Sequence, residues 1–196
     1  MKKNIWDNQD LVKIINDGGI AVMPTDTIYG IVGKAFDRGV VERVYALKKR
    51  DFKKPFIILI GSMSELNFFG IDISDDQKLV LEKYGSLDSV EDYQLRPNSI
   101  ILDCPHDKFE YLHRGTQSLA FRMPASKELR DLLLKTGPLV APSANTEKSP
   151  ASENMQDAKN YFGDKVDLYI DGGEIVGKAS RIIKLQGDGS VAVLRE

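Results

Sequence analysis

The sequence predicts a single mixed α/β domain, a twisted sheet flanked by helices, and three observations carry that reading. Short apolar runs of β type alternate along the chain with segments whose apolar residues recur at i, i+3 and i+4. The breaks between them hold Gly, Pro, Asn and Asp, and no repeat, low-complexity stretch or composition shift marks a second unit, so residues 1–196 read as one domain. At 196 residues, 42% hydrophobic and 29% charged, the chain is long enough to bury a sizeable core.

Composition narrows the function classes. No apolar run approaches the roughly 18 residues of a membrane span. The start, MKKNIWDNQD, has no apolar stretch behind its lysines, so the chain reads as cytoplasmic with no membrane partner. Cys104 is the single cysteine and cannot close an internal disulfide, and beside His106 and His113 it makes no metal-ligand spacing. A net charge of −2 provides no global field for nucleic acid, so any tRNA contact has to be local.

Taken in order, Leu11, Ile14 and Ile15 mark a helix over Asp10–Asp17, stopped by Gly18-Gly19 and followed by a strand over Ile20–Met23. That strand runs through Pro24 into Thr25-Asp26-Thr27, with Tyr29 and Gly30 closing the segment. Two readings of Thr-Asp-Thr stand. Its hydroxyls are delivered to a ligand outside the strand ends, or they form an Asx/ST turn that bonds only its own backbone. Val40, Val41, Val44, Tyr45 and Leu47 predict a helix over Gly39–Lys49. From Lys48 to Lys54 five of seven residues are basic, KKRDFKK, which is either a polyphosphate site or a solvated run at a helix end. Pro55 then launches the strand FIILI.

Further on, Ser62–Phe69 reads as a short helix, and Ser74-x-x-Gln77 is a capping box for a helix that Gly85 stops. A turn-rich stretch, SLDSVEDYQLRPN, leads to a strand over Ser99–Leu102, and Asp107–Gly115 reads as a loop holding Tyr111 and His113. Arg122 stands inside a strand over Ser118–Met123. A charge there needs a partner, either a ligand anion or a protein Asp. Leu129, Leu132 and Leu133 mark a helix over Ser126–Thr136, after which a short strand, Leu139–Ala141, empties into Pro142-Ser143-Ala144-Asn145. Ser152 is the expected cap of a helix reaching Tyr161-Phe162, Val166–Ile170 is a strand ending in Asp171-Gly172-Gly173, and Arg181–Leu185 with Val191–Leu194 forms a hairpin before Arg195.

There is no G-x-x-x-x-G-K-[ST] loop, no G-x-G-x-x-G, no G-x-S-x-G elbow and no H-E-x-x-H helix. What remains is a set of strand-end hydroxyls with lysines and arginines, which suits binding and activating a nucleoside triphosphate by positioning.

These pieces resemble a family. PTDTIYG at Pro24–Gly30, the K-x-R of Lys48-Lys49-Arg50 with KPFIIL following, SLAFRMP at Ser118–Pro124 and APSAN at Ala141–Asn145 are similar, in that order, to the threonylcarbamoyl-AMP synthases, the YrdC-like family. The resemblance spans Pro24 to Arg195. It implies the YrdC-like twisted mixed sheet with a concave basic cavity, and a reaction in which L-threonine, bicarbonate and ATP, with Mg²⁺, give threonylcarbamoyl-AMP and pyrophosphate. It further implies that the product serves threonylcarbamoyladenosine modification of tRNA through a downstream threonylcarbamoyl-transfer complex. By position it implies Lys48, Arg50, Ser143 and Asn145 as the catalytic K-x-R and S-x-N pairs. Thr25, Thr27, Tyr29, Arg122 and Ser180 would surround threonine, while Arg50, Lys54, Ser118, Ser143 and Arg195 would hold the nucleotide, with no metal ligand identified on the protein. The chain departs from the pattern at Leu59, at residues 95–99, at Thr146-Glu147-Lys148 and at Arg181. A non-catalytic double-stranded RNA or tRNA binder of the same fold is the alternative, against which the presence of both K-x-R and S-x-N argues.

Overall fold

Ala21 to Lys34 folds as an antiparallel hairpin, β1 (Ala21–Pro24) and β2 (Tyr29–Lys34), with Met23 opposite Gly30 and Pro24 opposite Tyr29. The segment therefore does not close at Tyr29 and Gly30. Glycines interrupt the apolar alternation that would have marked β2, and Gly33 is needed for closeness. A Cβ on it would stand 2.3 Å from Val40 Cγ1, on the helix packed against this strand.

The computed structural model describes residues 4–84 and 97–196. Helix α1 (Gln9–Asn16) precedes the hairpin, and Asn8 caps it by accepting from the backbone N–H groups of Asp10 and Leu11. Helix α2 (Arg38–Lys48) and strand β3 (Ile57–Leu59) follow, then a 3-10 helix over Met63–Phe69 and helix α3 (Asp75–Tyr84), which opens with the expected Ser74–Gln77 capping box. The predicted stop at Gly85 and the turn-rich stretch up to residue 96 lie outside the described residues. Strand β4 (Asn98–Asp103) leads into 107–115, which is not a loop but a 3-10 turn over Asp107–Phe109 running into a single helical turn, α4 (Glu110–His113). Four residues are too few for a readable helical period. Strand β5 (Ser118–Arg122), helix α5 (Lys127–Thr136) capped by Ser126, and strand β6 (Leu139–Val140) come next.

Helix α6 (Met155–Phe162) is capped by Asn154, not by Ser152. The Ser152 hydroxyl is buried and donates to the Ala144 carbonyl, so it braces the 142–145 loop instead. The chain ends in β7 (Leu168–Tyr169), β8 (Arg181–Leu185) and β9 (Val191–Arg195).

Among the described residues nine strands form one mixed sheet in the order β7-β1-β2-β6-β3-β5-β4-β8-β9. The pairs β1/β7, β3/β5 and β4/β8 are parallel and the others antiparallel. Strand alternation divides the apolar residues between two cores. Ala21, Met23, Val32, Leu59 and Leu139 pack with Leu11 and Ile15 of α1 and with Leu129, Leu132 and Leu133 of α5. Val22, Ile31, Ile58 and Val140 face the other way, toward α2 and α6. Each fully buried Leu or Ile contributes roughly 1.5–3 kcal/mol relative to an exposed one, so the two helical layers hold the sheet between them.

The layers do not cover the sheet evenly. Ile57, Ala120 and Ile101 are register partners across β3, β5 and β4 and so share a face, and that is the face on which α1 and α5 lie beside the neighbouring strands. Here the three residues line an open hollow.

Candidate functional site

The hollow has a volume of about 420 Å³. Ile57, Ala120, Ile101 and Ile182 form its floor, and its walls come from the β1–β2 turn, the turn between α2 and β3, the loop before β5, the exit of β6, the stretch 177–180 before β8, and Arg122 and Arg195 at the ends of β5 and β9. These walls bring together Thr25, Thr27, Tyr29, Arg50, Ser118, Arg122, Ser143, Ser180 and Arg195, nine of the residues predicted from sequence. Lys48, Lys54 and Asn145 are not among the lining residues.

At the hairpin tip Thr-Asp-Thr forms the local turn, does not bond its own backbone alone, and has its two threonines facing the hollow. Thr25 Oγ1 donates to the Ile28 carbonyl at 2.7 Å and accepts from the Thr27 N–H at 3.3 Å, which is the local turn. The Thr25 and Thr27 hydroxyls, 3.1 Å apart, also line the cavity. Arg122 Nη2 lies 3.0 Å from the Asp26 carboxylate and 3.4 Å from Thr25 Oγ1. The partner that the strand-borne charge required is thus Asp26, and both side chains of the pair are about 95% buried.

Arg50 is presented by the turn after α2. Its Nε donates to the Lys54 carbonyl at 3.0 Å, its Nη2 to the Pro55 carbonyl at 3.3 Å, and its guanidinium lies 5.4 Å from the ring centroid of Phe56, a cavity residue. Arg195, on the sheet's last strand, donates from Nε and Nη2 to the Ser180 carbonyl at 3.1 and 2.6 Å. The Ser180 hydroxyl meets Ser99 Oγ at 2.8 Å. Among the described residues no Asp or Glu lines the cavity.

Lys48, read from its neighbours as part of a solvated or phosphate-holding run, is buried. Its ammonium donates to the carbonyls of Ser143 and Asn145 at 2.5 and 2.7 Å and to Asn145 Oδ1 at 3.1 Å. Burial, with a smaller push from Arg50, lowers its pKa to about 7. Lys54 turns outward, its ammonium 2.6 Å from Glu147 Oε1.

Of the polar residues lining the cavity Thr116 escaped the sequence, while of residues 171–180 only the Asp171-Gly172-Gly173 turn and Ser180 were read from it. Thr116 lines the cavity and ties the loop before β5 by donating to the His113 carbonyl at 2.6 Å, and only its place two residues before Ser118 could have flagged it. Residues 171–180, an irregular strap between β7 and β8, lie against the hairpin. The Tyr29 hydroxyl donates to the Gly173 carbonyl at 2.8 Å and accepts from the Gly172 N–H at 2.9 Å. At Gly177 a Cβ would fall 2.1 Å from the Thr27 carbonyl oxygen, so only glycine fits under the strap.

Among the described residues no group of three or more His, Cys, Asp or Glu could hold a metal ion, and no helix is long and apolar enough to cross a membrane.

Residues 13–196 match the model of the Sua5/YciO/YrdC family, described as telomere recombination. The chain is 28% identical over 186 residues to a threonylcarbamoyl-AMP synthase of Pyrococcus abyssi, covering 92% of this chain and 51% of that protein. It therefore spans about half the length of this archaeal relative. It is 25% identical to the threonylcarbamoyl-AMP synthase of Pseudomonas fluorescens over 177 residues, 89% of either chain. Among solved structures, P. abyssi Sua5 complexed with L-threonine superimposes with a TM-score of 0.81 at 25% identity, covering 97% of this chain and 54% of that one. Escherichia coli YciO, at 22% identity and a TM-score of 0.75 over 100% and 90% of the two chains, has the same fold. The sheet order, the hollow at its uncovered face and a family match over nearly the whole length agree: this chain belongs to the Sua5/YciO/YrdC family.

Proposed function

We propose that the chain is an L-threonylcarbamoyladenylate synthase, converting L-threonine, bicarbonate and ATP into threonylcarbamoyl-AMP and pyrophosphate. The observation that carries this is the composition of the cavity wall: among the described residues, three guanidiniums, from Arg50, Arg122 and Arg195, stand among small hydroxyls with no carboxylate in the lining. Asp26 already balances Arg122, which leaves the Arg50 guanidinium in the wall to meet a polyanion. The names of the P. abyssi and P. fluorescens relatives and the threonine complex of P. abyssi Sua5 support the same reading.

In this reading Arg50 and Arg195, each braced by backbone carbonyls, hold the triphosphate without having to reorganise as charge builds on the departing pyrophosphate. The hydroxyls of Thr25 and Thr27, beside Arg122, receive the amino acid. Bicarbonate gives carbon dioxide with loss of water, the deprotonated amine adds to it and releases a proton to form the carbamate, and a carbamate oxygen attacks the α-phosphorus as the bond to pyrophosphate breaks. The triphosphate would bring its magnesium with it, which would offset phosphate charge without a carboxylate ligand from the described residues. The product would pass to a threonylcarbamoyl-transfer complex acting on tRNA.

The test is purified protein with L-threonine, bicarbonate, MgATP and a pyrophosphatase, followed by chromatography of the nucleotides. A threonine-dependent adenylate is expected, and Arg50→Ala abolishes it. ATP consumption that ignores threonine sinks the proposal.

A further inference from the structure

The bonds around Asn145 admit one assignment of their protons. The Ser149 carbonyl can only accept, so the Asn145 side-chain atom 2.5 Å from it must be the amide nitrogen. The oxygen then faces Lys48 Nζ at 3.1 Å, which donates to it when protonated. The Ser149 carbonyl thereby fixes the Asn145 amide whichever protonation state Lys48 holds. The Ser143 hydroxyl lies 2.6 Å from that same Asn145 oxygen and has one proton to give, so the proton goes there. Of these three side chains, Ser143 alone lines the cavity.

We infer that Lys48 and Asn145 are positioning residues that act through Ser143, holding its hydroxyl so that it offers the cavity a lone pair and no proton. Ser143 then cannot donate to a phosphate oxygen. Its partner is a group that brings positive character to an oxygen, either a ribose hydroxyl or the magnesium carried by the triphosphate. This deepens the proposed function and rests on that reading for the identity of the nucleotide. The proton assignment itself rests on the geometry alone.

Two measurements test it. A neutron structure of the unliganded protein is expected to show the Ser143 deuterium on the line to Asn145 Oδ1, and a deuterium turned into the cavity overturns the inference whether or not ATP binds. Calorimetric titration then compares wild type, Ser143→Ala, Asn145→Ala and Asn145→Asp against MgATP, Mg-2′-deoxyATP, Mg-3′-deoxyATP, metal-free ATP and AMP. Ser143→Ala is expected to weaken MgATP about three- to tenfold, the scale of one hydrogen bond. That loss should vanish with whichever deoxynucleotide or metal-free probe lacks the partner. Asn145→Ala should follow the same probe, and Asn145→Asp, which still accepts the Ser143 proton, should recover most of the affinity. A loss that persists on all three altered triphosphates and vanishes only on AMP makes Ser143 a phosphate donor and overturns the inference. Failure of the wild type to bind ATP overturns the proposed function instead, and the neutron result decides the proton assignment by itself.

Discussion

Lys48 sets two forces against each other, and its response to pH measures which wins. Burial pushes the ammonium from its ordinary 10.5 down to about 7, while three oxygens within 3.1 Å favour the charged form. If burial dominates, then between pH 7 and 10.5 the unfolded chain holds a proton that the folded chain has lost. Stability then rises with pH through this window, by about 1.4 kcal/mol per unit, and the contribution is smallest below pH 7, where both states are protonated. From pH 7 to 9.5 the gain is about 3 kcal/mol. Lys48→Met keeps much of the stem and removes the titration, so subtracting its urea-unfolding free energy from that of wild type cancels every other ionising group. The difference should climb by about 3 kcal/mol in favour of the wild type across those 2.5 units. A flat difference refutes the reasoning, because it means that the three oxygens fully offset the burial and the ammonium titrates as it would in water.

Two further outcomes follow from contacts around the cavity. Arg122→Met leaves the Asp26 carboxylate buried without its counter-charge, and should lower stability by about 3–5 kcal/mol, part of which Asp26→Asn restores in the double variant. Additive losses in denaturant unfolding would show that the pair is not coupled. Gly177→Ala drives a methyl into the Thr27 carbonyl and should cost about 1–3 kcal/mol while speeding hydrogen exchange at the Gly172 N–H, which is bonded to Tyr29. Wild-type exchange there would mean that the strap is seated elsewhere.

How far the sequence could be read depended on whether a residue's surroundings were local. Period and turn chemistry were enough for α2 and α5, whose apolar residues repeat on one face and whose ends carry caps, and for β3 and β5, which are short apolar runs of β type. They failed for β2, because its glycines serve close packing and blur the alternation, and for α4, which is a single turn. At the site, the convergence of Thr25, Arg50, Arg122 and Ser143 was legible as strand-end chemistry. The burial of Lys48 was not, since a lysine within KKRDFKK looks solvated until Ser143 and Asn145, nearly a hundred residues on, fold over it. Asp26 was visible as a turn former and not as the counter-ion of Arg122, for the same reason.

The strap over the hairpin has a mechanical consequence. Strand β7 is first in the sheet order and β8 eighth, so the connection between them crosses seven inter-strand spacings, roughly 34 Å if the sheet were flat. The twelve residue steps from Tyr169 to Arg181 reach about 40 Å at full extension, which leaves little slack. The same residues are therefore both the rim of the hollow and the girth line of the whole sheet. A deletion there would tighten the hollow from above and draw β7 and β8 toward each other. An inserted loop would loosen both, which makes this short irregular run the place where binding and curvature are adjusted by a single change in length.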